Sequence, residues 1–134
     1  MSKSNATETD LLNLVFKATA LPWAAATQLD LHLHTADHGE AGISTTNEAT
    51  YTGYAAVTVS RAGSAWTVSG NTASNVSLIQ FPQCTGGSNT ITHISVTPNA
   101  STQILYSGAL SSSLAVSNGI QPQLAAAALT ISEE

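Results

Sequence analysis

Charge is what this sequence has least of. Asp, Glu, Lys and Arg together make up 8% of its 134 residues, where an ordinary soluble domain carries about 25%. Lys3, Lys17 and Arg61 are the only three such cations, against eight acids, for a net charge of −5. A nucleic-acid partner is therefore excluded, because affinity for phosphates comes from neutralising several of them with Lys or Arg. Long apolar runs are missing too. The longest, Leu124 to Leu129, is mostly alanine and far short of the roughly 20 residues of a spanning helix, so no membrane partner is expected. Cysteine occurs once, at Cys84. It cannot staple the chain to itself, which fits synthesis in a reducing cytoplasm. No secretory signal is visible: the apolar stretch Leu11 to Phe16 is broken by Asn13. Gln83-Cys84-Thr85-Gly86-Gly87 reads as a turn, with no base beside the thiol to activate it.

Polarity comes instead from 17 serines and 18 threonines, and alanine is commonest at 21. One segment reads as helix, residues 8–19. Thr7 is placed to cap it, Glu8 and Asp10 suit the first turn, and Leu21-Pro22 lies just beyond its end. Leu11, Leu12, Val15 and Phe16 form an apolar stripe. It packs either on the chain's own sandwich, the commoner use of such a stripe, or on a partner. The rest is short runs of β-formers between turn residues. Leu29, Leu31 and Leu33 alternate with Asp30, His32 and His34; Val57 and Val59 alternate with Thr58 and Ser60; Ile94 and Val96 alternate with Ser95 and Thr97. Ala65 to Val68, Val76 to Phe81, Thr102 to Leu110, Leu114 to Val116 and Leu124 to Ile131 complete about eight strands. The last includes Ala125 to Ala128, read as strand despite its helical propensity. The expected fold is mainly β: one domain over 1–134, an antiparallel β-sandwich or jelly roll over 24–131, one short N-terminal helix, and an arm over 1–7.

Three of the four histidines and four of the eight acids fall between residues 30 and 48. His32 and His34, two apart on a strand, share a face, and with His38 they are the candidates for a mononuclear metal site. Asp30-Leu31-His32-Leu33-His34 resembles the opening motif of the polymerase-and-histidinol-phosphatase hydrolases. Such enzymes gather further ligands from a larger barrel, and here only His93 lies outside the cluster. The His-x-His-x-Asp-His run of metallo-β-lactamases fails by one extra residue before Asp37. A metal-dependent hydrolase is thus the remotest reading, and no cofactor is expected. No Gly-x-Ser-x-Gly elbow and no phosphate loop is present. Trp23, Trp66, Tyr51, Tyr54 and Tyr106 offer either a sugar-stacking surface or, more simply, core and rim aromatics.

Taken in order, the segments resemble a family of small tailed-phage virion proteins, labelled tail-fibre-like or minor structural proteins. The resemblance runs from about residue 8 to 131. Its pieces are Thr9-Asp10-Leu11-Leu12-Asn13-x-Val15-Phe16, Thr35-Ala36-Asp37, Gly53-Tyr54-Ala55 leading into Val57-Thr58-Val59, Ile79 to Pro82, Thr90 to Ile94, Leu105 to Leu110 and Ala127 to Ile131. No single piece is specific; the ordered set carries the match. It implies a virion component on a β-sandwich and transfers no catalytic residue, so no enzyme activity is expected. The first reading is a capsid decoration (cement) protein, a dimer or trimer bound to the major capsid protein. The second is a tail-fibre or baseplate adaptor that touches a host receptor. Ser2, Lys3, Thr7, Asp10, Asp37, His38, Glu40 and Glu48, from the arm and the long 35–50 connection, are the candidate partner contacts.

Overall fold

The computed structural model describes residues 1–134. It is a mainly β protein with one helix, α1 (Asn5–Lys17), and nine strands: β1 (Gln28–His34), β2 (Val57–Ser60), β3 (Trp66–Ser69), β4 (Thr72–Asn75), β5 (Ile79–Gln80), β6 (Ser88–Pro98), β7 (Tyr106–Ser117), β8 (Gln123–Leu124) and β9 (Thr130–Ser132). Every pairing is antiparallel. One layer is a four-stranded sheet in the order β2-β1-β6-β7. Facing it are the three-stranded sheet β3-β4-β9 and the pair β5-β8. Leu31, Leu33, Ile91, Ile94 and Val96 from the large sheet meet Ile79, Phe81, Leu129 and Ile131 in the core between the layers, which makes the fold an antiparallel sandwich.

The alternation that marks β6 as a strand breaks once. Ile91, Ile94 and Val96 are all buried in the core, although the first two are three positions apart, an odd offset that would put them on opposite faces of a regular strand. A bulge between Ile91 and His93 supplies the extra residue that brings both isoleucines to one face. Beyond it, residues 94–98 are buried without interruption, as are residues 31–34 of β1. These strands are therefore covered on both faces, by the opposite layer on one and by loops on the other.

Several expectations are revised. The helix begins earlier than Thr7 suggests: Ser4 is the N-cap, its hydroxyl accepting from Thr7 N–H at 3.3 Å, and Ala18 closes the helix in a left-handed conformation. The arm is a built part of the fold, since Ser2 and Ser107 exchange two backbone hydrogen bonds at 2.9 Å along the edge of β7. The apolar stripe does not pack on the sandwich. Leu12, Val15 and Phe16 are 58%, 70% and 79% exposed, and Leu11 is only half-buried. Ala125 to Ala128 form a turn rather than strand or helix. The buried Asn75 side chain pins it, donating to Ala125 O and accepting from Leu129 N–H. Gly70, at φ 60°, makes the two-residue β3–β4 hairpin, so a fourth strand follows where the sequence shows only a turn.

Candidate functional site

The histidine-rich stretch lies on the covered outer face of β1. His32 sits opposite Ser95 in the ladder and His34 opposite His93. Each ring reaches one step diagonally along β6, His32 Nε2 to Thr97 Oγ1 at 3.2 Å and His34 Nε2 to Ser95 Oγ at 2.7 Å. The other ring nitrogens turn to the overlying loop. His34 Nδ1 donates to the Thr46 carbonyl at 2.9 Å, and His32 Nδ1 donates to Glu48 Oε1 at 2.7 Å. Tyr54 O–H donates to the same carboxylate oxygen at 2.9 Å and accepts from Leu33 N–H at 3.0 Å. A polar sheet face is thus fully hydrogen-bonded to the 35–50 segment, which removes the cost of burying it.

Electrostatics agree with that geometry. His34 is fully buried, and desolvation holds its imidazole well below the ordinary range, to about 4, against the opposing pull of the Thr46 carbonyl. It is neutral at pH 7, with Nδ1 protonated by the requirement to donate to a carbonyl. Burial also pushes the Tyr54 phenol upward, which keeps its proton on the oxygen that donates to Glu48. The 35–50 segment is shaped for the task. Asp37 accepts from Gly39 N–H at 2.9 Å, and Asn47 Nδ2 donates to Asp37 O at 2.9 Å. A Cβ at residue 42 would lie 2.2 Å from His38 O, so only glycine fits there.

The three metal candidates are brought near one another without forming a donor set. His38 packs edge-on against His34 with ring centroids 5.0 Å apart, and its Nδ1 donates to Gly39 O at 2.8 Å. Only His38 Nε2 is buried without a partner, while both nitrogens of His32 and of His34 are engaged. No group of three or more His, Cys, Asp or Glu side chains is disposed to hold a metal ion. His93, half-buried, bonds Thr92 Oγ1 at 2.8 Å.

The candidate partner contacts divide. Thr7 is buried, its hydroxyl donating to Ile104 O at 2.9 Å, and Ser4 Oγ donates to the same carbonyl at 2.5 Å. Asp10 accepts from Gln103 Nε2 at 2.7 Å and from Trp23 Nε1 at 3.3 Å. Lys3 pairs with Glu133 at 2.5 Å, and Tyr106 O–H donates to the same carboxylate, clasping the two ends of the chain. Glu48 is engaged as described. Ser2, Asp37 and Glu40 are exposed, and His38 is half-buried. Of the aromatics, Tyr51 and Tyr54 pack edge-on at 5.3 Å beneath the loop. Trp23, Trp66 and Tyr106 line an open groove elsewhere. The exposed stripe of α1 is the surface whose spacing alone favours the interior.

The fold and this cluster define a small antiparallel sandwich whose histidines fasten a loop to a sheet. Residues 2–132 match the family model described as podophage GP4 fiber I protein gp80. The chain belongs to that family and is a phage virion structural protein of the fibre type. No curated protein matches it.

Proposed function

We propose that this chain is a tail-fibre or fibre-adaptor subunit that works by contact and not by catalysis, assembling with copies of itself through α1. The observation that carries this reading is the exposed stripe on a helix that touches its own body through Ser4, Thr7 and Asp10. Leu12, Val15 and Phe16, at i, i+3 and i+4, are neighbours on one helix face and expose apolar surface on the order of 300–400 Å², as much as the largest apolar patch of a typical monomer, which is often functional. A 13-residue helix is marginal in water unless its apolar face is covered. Paired patches from two or three copies would supply the apolar centre of an interface of standard size, roughly 1,600 Å².

The family's description as a fibre protein supports this address over the cement reading, in which the major capsid protein is the partner. Copy number separates the two. Quantitative mass spectrometry of purified particles is expected to find a few to a few dozen copies, as a tail component requires. Hundreds of copies, in step with the capsid lattice, would reverse the assignment.

A further inference from the structure

The two layers of the sandwich part at one end into an open groove of about 610 Å³, within the range of small-ligand sites. This chain has two tryptophans and one arginine, and all three line this groove with Tyr106, Asn71 and Glu133: Arg61 and Trp66 from one short stretch, Trp23 from 38 positions before Arg61. Both indoles are pinned. Trp66 Nε1 donates to Ser60 O at 3.0 Å, and Trp23 Nε1 donates to Asp10. Their rings are thus fixed before any ligand arrives.

Arg61 gives the groove its charge. Its guanidinium carbon lies 5.4 Å from the centre of the Trp23 ring. All its hydrogen bonds run through Nη1, to Trp23 O and Ala24 O at 3.1 Å and to Ala26 O at 2.9 Å. Nη2 and Nε keep their donors, and no carboxylate pairs with the cation. Glu133, the acid on the same groove, is already neutralised by Lys3. Asn71 Nδ2 donates to Glu133 O at 2.7 Å, leaving Oδ1 as an acceptor. The lining is mostly apolar, with Leu29, Val96, Leu105 and Ile131 beside the fixed aromatic rings; its free polar groups are the unpaired planar cation of Arg61 and one amide oxygen on Asn71.

The geometry points to a binding site for an acidic saccharide: pyranose C–H faces on the indoles, a sugar carboxylate on the free edge of Arg61, and hydroxyls on Asn71. Aromatic rings cover the apolar faces of such rings, and a guanidinium matches a carboxylate in two-pronged fashion. The site deepens the fibre reading, on which only its biological meaning rests; binding is a property of the purified chain.

Tryptophan emission reads this groove alone, since it holds both tryptophans. The full-length protein is titrated with tetragalacturonate and sialyllactose as acidic probes, and with maltotetraose and lactose as neutral ones. An acidic probe is expected to shift the emission and to bind at least about tenfold tighter than its neutral counterpart, weakening in salt. Arg61→Met should remove that preference. Trp66→Phe should weaken binding while its own melting curve shows a folded protein. No response to either acidic probe, or neutral probes binding equally well, overturns the proposal. So does emission that follows protein concentration alone, which would mean a second copy fills the groove. All three of these results are read on the wild-type chain, and copy number in the particle does not alter them.

Discussion

Burial changes the chemistry of His34. Its imidazole, ordinarily titrating near 6.5, is held down to about 4 by burial. The unfolded chain therefore takes up a proton below about pH 6.5 that the folded chain refuses until about pH 4. Stability from this group is fully present above 6.5, declines as pH falls through that window, and levels off below it. The loss is at most about 3 kcal/mol. Denaturant melts between pH 7 and pH 4 should show a midpoint falling with pH, and His34→Gln should flatten the dependence. A second residue-scale expectation concerns Glu48, which accepts from both His32 and Tyr54. Glu48→Ala strands two donors in a covered site and should cost about 1–3 kcal/mol by chemical unfolding. The histidine doublet is legible in the sequence as two side chains on one strand face. Its partners are not: Ser95 and Thr97 lie more than 60 positions away, and no local pattern ties them to His34 and His32.

At the scale of elements, α1 separates what a sequence states from what it leaves open. The helix and its stripe are visible in the spacing of Leu12, Val15 and Phe16. Its start is not, because Ser4 and Thr7 are chosen by the distant Ile104 carbonyl that both hydroxyls satisfy. Nor is the side it shows to solvent: such a stripe more commonly serves a core than a partner, and here it faces away from the sandwich. Ser4→Ala loses the cap and the tertiary bond together and should lower stability by about 1–2 kcal/mol. Phe16→Ser should act differently. Far exposed, it should leave the melting of the dilute protein within about 0.5 kcal/mol of wild type. In sedimentation equilibrium it should weaken self-association at least about tenfold. Equal association of both proteins would remove α1 from the interface. The alanine turn at 125–128 is hidden for a similar reason, as its conformation is imposed by Asn75 from another strand.

The whole molecule follows from strand patterning more than from any motif. Alternation identifies β1, β2 and β6 as strands, though not as neighbours in one sheet, and the order of segments carries the family. The division of the opposite layer into three- and two-stranded sheets escapes the pattern, because β5, β8 and β9 are three residues or fewer and β4, Thr72-Ala73-Ser74-Asn75, has no apolar alternation to register. The scarcity of charge gains a use at this scale. A surface with three Lys or Arg side chains and an uncovered apolar helix suits a subunit held among neighbours better than one kept apart by repulsion. A density map of the intact virion tests this most directly. The sandwich is expected in the tail fibres, with Leu12, Val15 and Phe16 of each copy covered by the same face of another. Copies spread across the capsid lattice, or fibres in which that face of α1 stays open to solvent, would contradict it.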